Sequence, residues 1–231
     1  MTAPDAMPAR DDHRARFLAL ALRCEALRFG EFTLKSGRVS PYFFNAGRFD
    51  TGAALAELAA CYADALDAAG LDFDLLFGPA YKGIPLAAAL ACEYARRGRD
   101  LPLAYSRKEA KAHGEGGMLV GAPQAGRRVL VVDDVITAGT AVREALGQIR
   151  GAGGTAVGIA IALDRQERAG EGDPRSAAQA VAADEGLAVT AVAGLRDLLA
   201  FVGQSTALAG QRDRLQAYRV RYGAPTAEGT A

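Results

Sequence analysis

The 231-residue chain is poor in the features that mark several large protein classes. Its three cysteines, Cys24, Cys61 and Cys92, are odd in number, far apart and set in apolar helical patterns. They read as core thiols of a reducing compartment, not as a disulfide frame or a zinc site. Half of the residues are hydrophobic, yet no run is long and uncharged enough to cross a bilayer. Lys and Arg number 27, as do Asp and Glu, and a formal net charge of zero provides no general attraction to nucleic acid or to a membrane. The first residues, MTAPDAMPARDDHRAR, carry charges of both signs and no apolar segment ahead of a cleavage site. A cytoplasmic location is therefore expected. No Gly-Lys-Ser/Thr closes a Walker loop, and the Gly-x-Gly-x-x-Gly spacing is missing. With neither repeat nor linker, a single domain over 1–231 is expected, its ends (1–10 and 221–231) flexible.

What is present concentrates between Arg128 and Val142, RVLVVDDVITAGTAV. Val129 to Val132 is too short for a helix and largely β-branched, so it reads as a buried strand. It ends in adjacent carboxylates, Asp133 and Asp134. Turn-forming residues follow (Thr137, Ala138, Gly139, Thr140), and a helical pattern begins at Ala141. The first amides of such a helix lack intrahelical partners and sit at the positive end of its dipole. Gly139 leaves room for a phosphate, and the threonines add hydroxyl donors. Either Asp alone would read as an ordinary acidic strand end. The whole string reads as a holder for a phosphorylated sugar, carboxylates to the hydroxyls and loop amides to the phosphate.

The rest of the chain alternates strands with helices. A helix is expected from Asp11 to Phe29, stopped by Gly30, then a hairpin from Glu31–Leu34 and Ser40–Phe44 around Lys35-Ser36-Gly37-Arg38. Helices are expected at Thr51–Ala68, Ile84–Arg96, Ala177–Asp184, Gly194–Val202 and Thr206–Arg219. Strands are expected at Phe73–Phe77, Leu101–Tyr105, Thr155–Leu163 and Ala188–Val192. This is an α/β pattern, a mostly parallel twisted sheet flanked by helices, in which ligands bind at the carboxyl edge. The suggestive segments follow Phe77, Tyr105, Val132 and Leu163, all strand ends. Between Arg107 and Gly117 a charged stretch rich in glycine reads as a long mobile loop. A generic charge run is a solvated face; here the cations match a polyanion, and the glycines suit a lid that excludes water.

Five strings occur in order between about Phe17 and Tyr218: FGEFTLKSGRVSPYFFNAGRF, FGPAYKGIPLA, RKEAKAHGEGG, VVDDVITAGTA and LDRQER. VVDDVITAGTA resembles the phosphoribosyl-pyrophosphate motif of type I phosphoribosyltransferases. The set as a whole resembles the orotate phosphoribosyltransferase family in its monofunctional form. The resemblance implies a small N-terminal hairpin hood over the sheet, transfer of phosphoribosyl from 5-phospho-α-D-ribose 1-diphosphate to orotate, Mg2+ bound through substrate and water with no direct protein ligand, and a homodimer with shared active sites. Neither nucleic acid nor membrane is an expected partner.

Residue roles follow from the same resemblance. Asp133 and Asp134 are expected at the ribose hydroxyls, and Val135, Ile136, Thr137, Ala138, Gly139, Thr140 and Ala141 around the 5-phosphate. Tyr81 and Lys82 are expected on the diphosphate side, with a strained peptide near Ala80–Tyr81. Lys35 would reach diphosphate or base, and Arg107, Lys108, Lys111 and His113 would form the catalytic lid. Phe43 and Phe44 would border the pyrimidine, Thr137 would also touch it, and Arg165 would bind its carboxylate. Taken singly, a Phe pair is packing, Arg165 a surface cation, Lys35 a turn lysine, and His13 a solvated helical residue without a role. Two other readings stay open: a purine or uracil phosphoribosyltransferase, and a non-catalytic sensor that kept the ribose-phosphate motif. The hairpin and lid strings match orotate enzymes, and no basic DNA-binding face is visible.

Overall fold

A computed structural model describes residues 12–34, 36–111, 117–169 and 172–225, without the side chains of Ala110 and Lys111. The chain runs α1 (His13–Arg23), β1 (Leu27–Thr33), β2 (Val39–Phe44), α2 (Gly52–Ala69), β3 (Leu75–Gly78), α3 (Gly83–Arg96), β4 (Leu103–Lys111) and β5 (Gly117–Gly121). It continues through β6 (Arg128–Asp133), α4 (Thr140–Gly151), β7 (Thr155–Asp164), α5 (Ala177–Glu185), β8 (Ala188–Gly194), α6 (Leu195–Gly203) and α7 (Ala209–Tyr222). β1 and β2 form an antiparallel hairpin, and the other strands a six-stranded sheet ordered β5-β4-β3-β6-β7-β8. Only the β4–β5 pair in that sheet is antiparallel.

Strand periodicity explains the layers. In β6, Leu130 and Val132 face one core with Leu76, Ala160 and Ala162, while Val129 and Val131 face the other with Leu75, Phe77, Ile159 and Ile161. Apolar residues of α1, α2, α3, α6 and α7 pack the first face, those of α4 and α5 the second. Helices on both faces are why the central strands read as continuous apolar runs.

The chain leaves β3 toward β4 on one side and returns through β6 to build β7 and β8 on the other. The carboxyl ends of β3 and β6 therefore flank the point where strand order reverses, where open α/β sheets leave a crevice.

Several expectations need correction. The first helix ends at Arg23, with Cys24 as its cap and Glu25 at φ 54, and strand pairing starts at Leu27, where a helix was expected to continue to Phe29. Leu27 fits a helical stripe equally well; its pairing opposite Phe44 decides the matter. The charged stretch after Tyr105 is extended as far as Lys111, which pairs with Gly117, so only 112–116 lie outside the described residues. The motif helix begins at Thr140 and the last helix at Ala209, the latter running on to Tyr222, inside the tail expected to be flexible. Gly223 then bridges to Glu167. His13 is buried, and burial pushes its pKa down; Cys92 is exposed and Cys24 half-buried, so only Cys61 is a core thiol. Strand β5 has no counterpart among the expected elements, and the remaining helices and strands match with modest shifts at their ends. Residues 1–11 and 226–231 lie outside the described residues.

Candidate active site

The loop after β3 is built on close backbone contact. A Cβ on Gly78 would lie 2.5 Å from the Gly83 carbonyl oxygen, and one on Gly83 would lie 2.6 Å from that of Val132. Two glycines let the loop fold back against β6. The Ala80–Tyr81 peptide is cis. The Ala80 amide donates to Ser106 Oγ of β4 at 3.1 Å. Tyr81 is exposed, and its ring lies 4.8 Å from Lys108 Nζ, so one of the cations expected in the lid touches this loop.

Lys82, also on this loop, reaches across the crevice to Asp134 at the end of β6, with Nζ 2.6 Å from Oδ2. Asp134 is buried and well anchored. Its Oδ1 accepts from the Val135 amide at 2.9 Å, and its carbonyl oxygen accepts from the Ala162 amide at 2.9 Å. Asp133 Oδ1 accepts from the Asp134 amide at 2.9 Å. Burial, with the adjacent Asp134 charge second, pushes the Asp133 carboxyl up to about 7, against the pull of that amide and Lys82. Beneath it, the buried Tyr62 hydroxyl of α2 donates to the Asp133 carbonyl at 2.7 Å. Sequence reasoning missed Tyr62, which shares a helical stripe with Leu58 and Leu66 and reads as core.

The loop beyond Asp134 turns at Gly139, whose φ of 75 suits glycine. A Cβ there would meet Val181 Cγ2 and Arg143 Nη1, each at 2.7 Å. Arg143 Nη1 braces the loop by donating to the Ala138 carbonyl at 3.0 Å. Thr137, Ala138, Thr140 and Ala141 are exposed, Val135 is half-buried, and Ile136 is buried in the core beneath. The first intrahelical amide is that of Arg143, bonded to the Gly139 carbonyl, so among the described residues the amides from Ile136 to Val142 carry no protein hydrogen bond and remain for a ligand, whereas that of Val135 is taken by Asp134.

At the end of β7 the guanidinium of Arg165 lies over the Tyr42 ring at 4.4 Å, donates to Ser40 Oγ at 3.2 Å and pairs with Glu167 Oε1 at 2.7 Å. Burial opposes its charge, but Tyr42 and Glu167 outweigh burial and hold its pKa above the ordinary value. Glu167 was not singled out from the sequence. An acid between two arginines in LDRQER was the available signal. Phe43 and Phe44 take opposite faces of the hairpin: Phe44 packs against Phe17 and Phe49, and Phe43 against Phe32, their ring centroids 5.4 Å apart.

Arg107 Nη1 donates to the Gly117 carbonyl at 3.4 Å, toward the turn end of the β4–β5 hairpin. Lys35 and His113, and the side chain of Lys111, lie outside the described residues. Lys82, Asp133, Asp134 and the loop to Ala141 thus come together around one crevice, with Tyr81 and Lys108 on its rim. A cavity of about 300 Å³ beside Asp164 and Arg196 is lined by none of the expected residues. Among the described residues no three His, Cys, Asp or Glu side chains are grouped to hold a metal ion, and no helix is long and apolar enough to cross a membrane.

A family profile described as the phosphoribosyl transferase domain matches residues 49–181. The chain is 73% identical over 215 residues to the orotate phosphoribosyltransferase of Xanthomonas campestris, covering 93% of this chain and 98% of that protein. It is 68% identical to that of Stenotrophomonas maltophilia, over 92% of this chain and 97% of its relative. Among solved structures, the orotate phosphoribosyltransferase of Francisella tularensis superposes with a TM-score of 0.81 at 41% identity, covering 90% of this chain and 98% of the other. The crevice between β3 and β6, its acid pair and its glycine-turned loop thus lie in a chain that belongs to the orotate phosphoribosyltransferase family.

Proposed function

We propose that this chain transfers the phosphoribosyl group of 5-phospho-α-D-ribose 1-diphosphate to N1 of orotate, giving orotidine 5′-monophosphate and diphosphate. The observation that carries the proposal is the meeting, at the switch point, of a lysine from the β3 loop with the acid pair of β6, beside a loop with free amides. As C1 of the ribose parts from the diphosphate, positive charge grows on the ring and negative charge on the leaving group. Catalysis needs anions near the sugar and cations near the diphosphate.

In this reading Asp133 and Asp134 accept hydrogen bonds from the ribose hydroxyls, and the developing cation favours the ionised form of Asp133. The amides from Ile136 to Ala141 and the threonine hydroxyls take the 5-phosphate, aided by the dipole of α4, while the Val135 amide stays on Asp134 Oδ1 at the start of the loop. Lys82, Tyr81 and Lys35 face the diphosphate, and Arg107, Lys108, Lys111 and His113 close over it. Phe43, Phe44, Thr137 and Arg165 receive the base. The acid pair offers too few oxygens for a protein-only metal cage, with Asp134 already engaged by Lys82. The pair suits a Mg2+ held by substrate oxygens and water, and contacted through water. When bound, Mg2+ supplies neutralisation of the diphosphate charge.

The enzyme is read as a cytoplasmic homodimer in which each lid serves the neighbouring site. Mixing a lid variant with an Asp134 variant, each inactive, should restore part of the activity; no recovery refutes sharing. The test of function is loss of orotate absorbance on adding phosphoribosyl diphosphate and Mg2+. Turnover of uracil or a purine with orotate untouched, or no turnover of any base, overturns the proposal.

A further inference from the structure

The carboxylate of Glu167 lies at the centre of a buried cluster that joins the hairpin to the end of the sheet. Its side chain is 9% exposed and stands 2.7 Å from Arg165 Nη2 and 3.9 Å from Arg38 Nη1. The Tyr42 hydroxyl donates to its Oε1 at 3.3 Å. The backbone is pinned as well: Glu167 bridges to Gly223, the Arg168 amide donates to the Tyr222 carbonyl at 2.9 Å, and the Ala224 amide to that of Gln166 at 2.8 Å. A carboxylate held this way is a fixed point.

We infer that Glu167 is a positioning residue, which sets the Arg165 guanidinium in the one orientation that receives the carboxylate of the acceptor base. This rests on the reading above that Arg165 binds that carboxylate. Both side-chain bonds of Arg165, to Ser40 and to Glu167, end on Nη2, and the Tyr42 ring covers one face. Among the described residues no hydrogen bond uses Nε or Nη1, which leaves those donors available to a ligand. A planar fork with one nitrogen tethered at two points presents its other donors in a defined direction. Charge does not oppose a second anion here. Arg38 and Arg165 together carry two positive charges against the one of Glu167, and burial disfavours the charged form of the adjoining Asp164 carboxyl, so the cluster keeps a net attraction for a monocarboxylate. Tethering Arg165 also keeps its flexible stem from sampling other rotamers, which would otherwise be ordered at the moment of binding.

The test uses the full-length enzyme and the orotate absorbance assay. Glu167→Gln should raise KM for orotate about tenfold, the scale of loss when a binding group shifts by a fraction of an ångström, with kcat and KM for phosphoribosyl diphosphate little changed. Glu167→Asp should recover part of that loss, because it keeps the charge. Arg165→Ala should raise KM for orotate at least as far, and adding Glu167→Gln to it should cost nothing more, since Glu167 acts through Arg165. Additive losses, an unchanged KM in Glu167→Gln, or a lowered one showing that Glu167 competes with the substrate, each overturn the inference. If Arg165→Ala alone leaves KM for orotate unchanged, it is the reading of Arg165 that fails. Should Glu167→Gln not fold by circular dichroism, Tyr42→Phe carries the test, because it removes one hydroxyl from Glu167 and keeps the ring. It should raise KM for orotate a few-fold, and no change overturns the inference.

Discussion

Asp133→Asn should make the free protein more resistant to heat while making it a poor catalyst, and the stability gain should depend on pH. In the fold the Asp133 carboxyl titrates near 7, held up first by burial and then by the Asp134 charge, against 3.8 for an ordinary Asp. Between those values the native state keeps a proton that the unfolded chain releases, so stability falls as pH rises from about 4 to about 7 and then levels off. A shift of about three pKa units corresponds to about 4 kcal/mol at most, and water reaching the ionised carboxylate lowers the expectation to about 2 kcal/mol. Asparagine is nearly isosteric, and its side-chain oxygen can still accept the Asp134 amide, now bonded at 2.9 Å. The Tyr62 bond goes to the backbone and is untouched. The variant should therefore melt about 4–8 °C higher than the native protein above about pH 7.5 and nearly alike at about pH 4. Calorimetric melts across that range measure it, and orotate turnover should fall on the order of 100-fold as an anion near the sugar is lost. A gain of equal size at both ends of the range, or lower stability at the alkaline end, refutes the assignment of a buried, costly carboxylate.

Other perturbations probe the rest of the crevice. Gly139→Ala forces a left-handed alanine against Val181 and should cost about 2–3 kcal/mol, seen as a lower melting temperature and a raised KM for phosphoribosyl diphosphate; an unchanged melt contradicts the contact. Tyr62→Phe strips the Asp133 carbonyl of a buried donor and should lower stability by about 1–2 kcal/mol in urea titrations, whereas a neutral result shows that the bond contributes nothing. Lys111→Ala should cut turnover more than tenfold, on the order of 3 kcal/mol in barrier height at most, with the melt unchanged; near-normal turnover removes the lid from the mechanism.

The site was legible where chemistry is local. The strand Arg128–Asp133, its acid pair and the glycine that turns the loop are contiguous, so their types and order carry the reading without knowledge of partners. Contacts made by residues far apart were not legible. Tyr62 meets Asp133 from a helix 71 positions away, and Arg165 meets Ser40 across 125. The hairpin base was misread for a related reason. Leu27 satisfies a helical stripe as well as a strand, and only its pairing opposite Phe44 distinguishes them. The extension of β4 to Lys111 hid behind charge, because a strand projecting from a sheet edge needs no apolar face.

Periodicity, turn residues and a run of adjacent functional groups were enough, from the sequence alone, to establish the alternation of strands and helices and the acid-tipped strand with its phosphate-suited loop. Both depend on interactions within a few residues of one another. Tertiary structure alone decided that β3 and β6 lie side by side at the reversal of strand order, which brings Lys82 within 2.6 Å of Asp134. It also decided how far Asp133 is removed from water, and hence that its carboxyl titrates near neutrality, because desolvation is a property of everything packed around a group and not of its neighbours in sequence.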